Sequence, residues 1–594
     1  MPLSGTTKKF LERLRRTPLV LSLISLLLII YDFGFVTQPS VSLVLHDIYL
    51  FFLLAIPVSQ IFRYVFFTPK QTPGIWVFDI LLIAGLLILF FANLILSGWI
   101  KTQWSNLGFL NLPVWNYLLL FVVFVREFSR LRIRLSQKQM NPALLFVLSF
   151  VFMIFIGTLL ILLPKATYTG ISFLDALFTA TSAVCVTGLM VVDFSTHFTP
   201  LGHTIILGLV QTGGLGIMTF TSFFAYFFKD SSSFQSQLML RDITNSEKMA
   251  EVFETLKKIV MVTLSIEAVG AIVLFISIHP DAMPDLGDRV YFAVFHAISA
   301  FCNAGISTLG PGLYEEVFRF NYPFLFFVSI LFILGGLGFP IVFNFMQYLK
   351  SGVRNKLVKY NRRKGWVYLP GVINLNTRIV MVTTGLLVVV GTILIYFFEY
   401  SNTLVEHKGS GKIVTAFFTA TAPRTAGFNN VNLLDLRFST VMMVLFLMWV
   451  GGSPASTAGG IKTSTLALAT LNFLSIARGK NRVEVFRREV SDYSIRRAFA
   501  VIALSLIFIG LAVFLIAAFD SDKDLLHIAF ECFAAYSTAG LSLGITPELS
   551  TPGRMVILLT MFIGRVGALT LMVAFMRKAV NLNYRYAKDE ILIN

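Results

Sequence analysis

Val186-Thr187-Gly188-Leu189, Asn303-Ala304-Gly305-Ile306, Thr425-Ala426-Gly427-Phe428 and Ser537-Thr538-Ala539-Gly540-Leu541 are four glycine-bearing segments, each preceded by a short apolar, helix-like stretch. Their glycines, Gly188, Gly305, Gly427 and Gly540, recur at intervals of 117, 122 and 113 residues. One such glycine carries no information. Four at nearly one period define a four-part internal repeat, and in apolar sequence such a repeat predicts a ring around an axis. Glycine reaches backbone conformations closed to other residues, so the carbonyls beside it can turn toward that axis. Four extended segments together would present the ring of oxygens that replaces the water around an ion.

Working outward, each segment sits in the same plan. First helices are expected near residues 142–163, 255–278, 373–398 and 497–519. Short apolar segments follow near 172–183, 288–300, 411–421 and 524–536, and second helices near 201–228, 321–349, 437–478 and 552–578. The short segments cannot cross a bilayer core, which takes about 20 residues, so they read as re-entrant. Re-entrant backbone is tolerated at membrane depth only where it lines a wet cavity or is buried in protein. The glycine segments after the short helices would receive the negative ends of four helix dipoles, which favours a cation. All four repeats start on the same side, so the symmetry axis lies along the membrane normal and an inverted-repeat transporter is disfavoured.

Composition fits this plan. Hydrophobic residues make up 56% of the 594 and charged residues 13%. Long apolar runs predict an all-α membrane protein, since a β-barrel would show short alternating segments. The net charge of +17 is concentrated in Lys8–Arg16, Arg126–Lys138, Lys350–Lys364 and Arg478–Arg497, in alternate connections between apolar runs. That is a topology signal and not a nucleic-acid patch. It puts both termini in the cytoplasm of a multi-pass protein of the cytoplasmic (inner) membrane. Cys185, Cys302 and Cys532 form no disulfide or metal pattern and read as small packing residues. The apolar run Leu19–Ile30 follows basic residues but leads into Tyr31-Asp32-Phe33-Gly34, which offers no small-residue cleavage site, so an uncleaved first helix is expected.

Two domains are expected. Residues 1–140 carry four apolar segments near 18–36, 42–66, 76–98 and 112–126. Residues 141–594 carry the repeats, at 141–230, 250–350, 371–480 and 493–580, and a tail from 581 to 594. The fourth N-terminal helix has its arginines at one end and not at every third residue. That favours a packing or assembly role over a voltage sensor, despite the suggestive Phe78-Asp79-Ile80.

Gly451-Gly452-Ser453-Pro454-Ala455-Ser456-Thr457-Ala458-Gly459-Gly460-Ile461-Lys462-Thr463 interrupts the second helix of the third repeat. Glycine and proline should break the helix there and make a gate that moves aside. Arg565, in Phe562-Ile563-Gly564-Arg565-Val566-Gly567, is a charge midway along an apolar helix. Such a charge needs a partner or a wet cavity, and below the ring it could hold the gate or repel cations. Lys462 carries a similar argument. Asp175 and Glu531 read as props for the short helices, and Glu267 has no partner legible in the sequence. Gln211-Thr212-Gly213-Gly214-Leu215-Gly216 lies within a helix with no strand before it, so a dinucleotide loop is rejected. Nothing points to an enzyme or to a bound cofactor.

Thr181-Ser182-Ala183-Val184-Cys185-Val186-Thr187-Gly188-Leu189, the Gly-Gly-Ser-Pro segment from Gly451 and Gly564-Arg565-Val566-Gly567 together resemble the Trk/Ktr/HKT potassium uptake superfamily, most of all its KtrB-type, TrkH-like membrane subunit. The resemblance covers about residues 142–594. It implies a K⁺ pore whose selectivity filter is Val186, Thr187 and Gly188, then Asn303, Ala304 and Gly305, then Thr425, Ala426 and Gly427, then Thr538, Ala539 and Gly540. Glycine at all four filter positions implies K⁺ selectivity. It also implies a homodimer and a separate cytosolic RCK-type nucleotide-binding regulatory subunit. The tail Tyr586–Asn594 resembles the family's terminal tail near the dimer interface, and residues 1–140 depart from the usual family plan. The expectation is K⁺ uptake through a filter with an intramembrane gate. A Na⁺ or Na⁺-coupled K⁺ transporter of the same fold is one alternative, and a non-transporting membrane sensor is another.

Overall fold

The computed structural model describes residues 5–35, 39–66, 73–96, 113–130, 142–216, 252–360 and 373–576. The tail from 581, the stretch 217–228 expected to end a second helix and parts of the basic runs 126–138 and 350–364 lie outside the described residues. Two compact units form, one chiefly from residues 1–137 with 162–170, the other from 138–161, 171–222 and 234–594.

In the first unit, α1 (Gly5–Gly34), α2 (Pro39–Phe66), α3 (Pro73–Leu96) and α4 (Pro113–Phe128) pack around Leu53, Ile56, Leu86, Leu120 and Val123, all fully buried. Helices close every backbone bond internally, which long apolar runs in a membrane require. At one end of the bundle Glu127 accepts from Arg63 at 2.5 and 2.8 Å and from Gln60 at 3.0 Å. Beside it Asp79 accepts from Arg126 at 2.6 and 2.9 Å and from Arg130 and Tyr64. Buried charges persist only when paired in this way. At the other end the hydroxyls of Tyr49 and Tyr117 donate to Asp32 at 3.2 and 2.6 Å.

The second unit is built from four repeats. The first holds α5 (Pro142–Ile161), α6 (Phe173–Val184) and α7 (Pro200–Gly216). The second holds α8 (Val252–Ser277), α9 (Leu286–Cys302), α10 (Tyr322–Leu337) and α11 (Phe339–Tyr360). The third holds α12 (Leu375–Glu399), α13 (Ser410–Thr421), α14 (Phe438–Trp449) and α15 (Thr463–Ala477). The fourth holds α16 (Asp492–Phe519), α17 (Leu525–Ser537), α18 (Thr551–Val566) and α19 (Ala568–Phe575). The short helices are α6, α9, α13 and α17. Side chains of Ser172 and Asp285 cap α6 and α9 by accepting from the third residue on.

Two expectations are corrected here. The second helices of the second and fourth repeats are not continuous: α10 and α11 meet at 105°, α18 and α19 at 86°. The breaks fall at Gly338 and Gly567, with φ of 79° and 88° and ψ of 144° and 125°, an extended positive-φ conformation that favours glycine and leaves the helix. By length and apolarity seven of the described helices can cross a membrane, or nine if each bent pair is one span.

Each second helix packs on the short helix of the next repeat. Thus α7 meets α9, α10 meets α13, α14 meets α17, and α18 returns to α6. The circle closes on a salt bridge of 2.7 Å from Arg554 to Asp175. Asp175 therefore does more than meet a helix dipole, since it ties the last repeat to the first.

Candidate functional site

The short helices end in a way that apolar sequence does not advertise. Val186, Asn303 and Thr538 are left-handed, with φ of 54°, 62° and 50°. The next residue in each case donates back five residues: Thr187 to Ser182 at 2.7 Å, Ala304 to Ser299 at 2.8 Å, Ala539 to Ala534 at 2.8 Å. Together with the i→i−3 bonds of Val186, Asn303 and Thr538 these are Schellman ends. Asparagine tolerates this conformation, but β-branched valine and threonine are strained in it. The third repeat differs because Pro423 follows the helix. There Thr425 takes φ 73° and Gly427 makes the five-residue bond, to Ala422 at 3.3 Å.

Two residues on, Gly188, Gly305, Gly427 and Gly540 all have positive φ. A side chain on Gly188 would strike the Ala304 carbonyl oxygen, and one on Gly305 the Ala426 oxygen. One on Gly427 would strike the Ala539 oxygen, and one on Gly540 the Thr187 oxygen. Each glycine thus faces the carbonyl before the next repeat's glycine, and the fourth faces the first. The four predicted segments come together as one closed ring.

Polar residues pin the chain that leaves the ring. Ser182 Oγ accepts from Gly188 N at 3.0 Å, and Ser299 Oγ donates to the Ile306 carbonyl at 2.7 Å. His296 lies 2.9 Å from Ser307 Oγ, and Thr419 Oγ1 donates to Asn430 at 3.1 Å. Glu531 accepts from Ser542 and, at 2.9 Å, from Thr546. The hydroxyls of Thr187, Thr425 and Thr538 are buried with no hydrogen-bond partner among the described residues. Such unanswered oxygens beside a ring of carbonyls fit a dehydrated cation. Among the described residues, no group of three or more His, Cys, Asp or Glu is placed to hold a metal.

Next to the ring lies the interruption of the third second helix. Its base is closed by Gly451 N to the Ile461 carbonyl at 3.0 Å and Thr463 N to the Gly452 carbonyl at 2.9 Å. The loop leans on neighbouring backbone: Ser453 N bonds the Gly336 carbonyl at 2.9 Å and Thr457 N the Gly335 carbonyl at 3.3 Å. Thr457 Oγ1 is 3.2 Å from both the Phe301 carbonyl and the Asn303 amide. A side chain on Gly459 would strike Thr538 Oγ1, so the loop is packed against a ring residue.

Three cations hold this loop, each through carbonyl oxygens. Arg565, 4% exposed, donates to the Thr457 carbonyl and, at 2.9 Å, to the Gly213 carbonyl. Lys462 turns back on its own loop, to the Ala458 and Gly459 carbonyls at 2.6 and 3.3 Å. Arg424, which sequence reasoning passed over, donates to the Gly451 carbonyl at 3.2 Å. Its signal was available, as a lone cation three residues before Gly427. Also missed were the contacts of Gly213, Gly335 and Gly564, where a side chain would strike the Val184, Phe301 and Tyr536 carbonyls. Small residues let the second helices approach the short-helix ends this closely. The glycine pairs Gly213-Gly214 and Gly335-Gly336 were the trace of it.

The fold and its central ring define an all-α membrane protein of four first-helix, short-helix, second-helix repeats, preceded by four further helices. The sequence pattern of TrkH, the cation transport protein family, matches residues 136–583. The potassium/sodium uptake protein NtpJ of Enterococcus hirae is 33% identical over 465 residues, covering 77% of this chain and 98% of NtpJ. Ktr system potassium uptake protein B of Bacillus subtilis is 34% identical over 453 residues, covering 76% and 96%. The crystal structure of the potassium transporter TrkH from Vibrio parahaemolyticus superposes with a TM-score of 0.60 at 17% identity, over 83% of this chain and 97% of that one. The chain belongs to the TrkH cation transport family, so it is a multi-pass membrane transporter and not an enzyme.

Proposed function

We propose that this protein carries K⁺ into the cell through a pore on the axis of the four glycine segments. The filter is formed by Val186 to Gly188, Asn303 to Gly305, Thr425 to Gly427 and Thr538 to Gly540. The observation that carries this reading is the closed ring, in which each glycine faces the carbonyl before the next. The unpaired hydroxyls of Thr187, Thr425 and Thr538 support it, as do the names of both relatives. Loop residues Gly451 to Gly460 with Lys462 and Arg565 form the gate. The loop packs against the ring, and the cations beside it, the buried Arg565 and the half-buried Arg424 and Lys462, repel a passing ion.

Residues 141–594 are the translocating domain, and 1–140 a helical extension. The basic connections orient the chain in the cytoplasmic membrane with both termini inside. The resemblance to KtrB-type subunits brings a homodimer and a cytosolic RCK-type regulatory partner to the reading. A second reading, Na⁺ permeation or Na⁺ coupling, is favoured by one relative's name, which joins potassium and sodium.

Both readings are tested by radioactive rubidium uptake into liposomes holding the purified chain, with Gly188→Asp beside it. Uptake competed by K⁺ and not by Na⁺, and lost in the variant, is expected. Competition by Na⁺ would move the assignment to the second reading, and uptake that survives in Gly188→Asp would remove the filter from these segments.

A further inference from the structure

In three of the four repeats a polar side chain reaches from the short helix, past the ring glycine, to the chain that leaves it. His296 of α9, nine residues before Gly305, is fully buried. Its Nδ1 lies 2.9 Å from the Phe292 carbonyl, which can only accept, so in the neutral ring Nε2 accepts from the Ser307 hydroxyl at 2.9 Å. Glu531 of α17, nine residues before Gly540, is fully buried as well. It accepts from the Ser542 hydroxyl and, at 2.9 Å, from Thr546 Oγ1. Ser307 and Ser542 stand two residues after their glycines, and each Oγ also accepts from the backbone N two residues on, Leu309 at 3.1 Å and Gly544 at 2.8 Å. In the third repeat Thr419 of α13 bonds the Asn430 side chain at 3.1 Å, from eight residues before Gly427 to three after it. The shift by one residue goes with the Pro423 ending of that helix.

Among the described residues the first repeat has no such link. Its matching positions are Thr179 and Met190. Thr179 donates to the Asp175 carbonyl of its own helix at 2.8 Å, and Met190 has no group that donates. Leu189 and Val191, on either side of Met190, are buried in an apolar cluster instead. The other three repeats thus use a histidine, a threonine and a carboxylic acid to make the same connection. Buried polar groups are kept where they are bonded, and these are bonded to one place in the repeat. His296 also reaches a second segment, since it stacks on Phe428, the residue after Gly427, at 6.2 Å between ring centres.

We propose that His296 with Ser307, Thr419 with Asn430 and Glu531 with Ser542 are three braces, positioning residues that hold the carbonyls of the ring in place and so set its preference for K⁺ over Na⁺. The proposal rests on the reading of the glycine segments as the filter. Selectivity in a ring of carbonyls depends on where its oxygens lie and how firmly they are held. A bond from the short helix to the chain just past each glycine limits how far that segment can close around a smaller ion. In the first repeat the apolar packing of Leu189 takes this part.

The test is the ratio of the Na⁺ and K⁺ concentrations that halve rubidium uptake into liposomes, measured for wild type, Ser307→Ala, Ser542→Ala, Glu531→Gln and Thr179→Val. This ratio does not depend on how much of a preparation is folded, so a merely structural role would not move it. Ser307→Ala and Ser542→Ala are each expected to lower the preference for K⁺ about fivefold, which is about what one hydrogen bond contributes. Glu531→Gln, whose amide can still meet both hydroxyls, is expected to stay within about twofold of wild type. So is Thr179→Val, at the position that carries no brace. An unchanged ratio in either alanine variant overturns that brace, and in both the whole proposal; should one variant fail to fold, the other decides. A fall in Thr179→Val as large as in the alanine variants would mean that any change in a short helix disturbs the ring, and would overturn it too. A like fall in Glu531→Gln would replace the brace there by an effect of charge. A wild type with no preference for K⁺, or uptake that survives in Gly188→Asp, would fail the filter reading and the proposal with it. A selective wild type beside equally selective alanine variants overturns the braces alone.

Discussion

At Gly188 two constraints coincide. Its φ of 89° is closed to ordinary side chains, and any Cβ would strike the Ala304 carbonyl. The left-handed conformation alone costs an alanine about 1–2 kcal/mol, and the collision displaces an oxygen of the ring. Gly188→Ala is therefore expected to cut rubidium uptake by at least about tenfold while the protein still folds, as checked by transport and by gel filtration of the same preparation. Uptake within a factor of two of wild type would mean that the ring does not set the ion path. Valine at 186 and threonine at 538 show the opposite economy, because branched residues are kept where glycine would be relaxed. The sequence displayed the glycines plainly, but nothing in Val-Thr-Gly or Ser-Thr-Ala-Gly announced that the residue two before each glycine is left-handed as well.

At the scale of the element, the loop between α14 and α15 is held by bonds that run almost wholly to backbone. Side chains also tie it to elements of other repeats: the Thr457 hydroxyl to the Phe301 carbonyl and the Asn303 amide, the Ser453 hydroxyl to the Leu337 carbonyl, and the Arg565 guanidinium, which bridges the loop to the Gly213 carbonyl. Thr457→Val removes the first and leaves the others. It is expected to cost about 1 kcal/mol and to raise basal flux about two- to fivefold, read as rubidium leak with no regulatory partner added. A leak no greater than wild type would remove Thr457 from the closed state. The glycines and proline of this loop made its break legible in advance. The breaks at Gly338 and Gly567 were not foreseen, although Pro340 follows the first, because glycines such as Gly335, Gly336 and Gly338 are equally at home in a continuous helix that packs closely. At Gly338 the break comes where the helix meets the Ser453 hydroxyl and the Pro454 carbonyl of the loop, so closely that a side chain would strike both.

Across the whole repeat unit, order around the ring follows order along the chain, with each second helix resting on the next short helix. Closure depends on the ends of the sequence finding each other. Arg554 performs it, with Asp175 at 2.7 Å and the carbonyls of Leu549 and Pro547 at 3.0 and 2.8 Å. Arg554→Met is expected to remove about 1–2 kcal/mol, seen as a lower melting temperature in detergent, because a partly buried carboxylate loses its charged donor. An unchanged melting temperature would place closure in the apolar contacts of α18 on α6 alone.

What the sequence determined by itself was everything periodic: the apolar lengths that make spans, the four-part repeat, the short re-entrant segments and the glycines that mark the ring. These properties are local, since backbone satisfaction in a membrane and the conformational range of glycine do not depend on distant residues. Tertiary structure alone decided the partners. It brought Glu267 to Gln211 and Cys302, Arg565 to the Thr457 and Gly213 carbonyls, Arg424 to Gly451, and Asp175 to Arg554 across 379 positions of chain. A buried charge states in the sequence that it needs a partner. Which partner it finds depends on how four repeats close around one axis, and that is a property of the packed molecule.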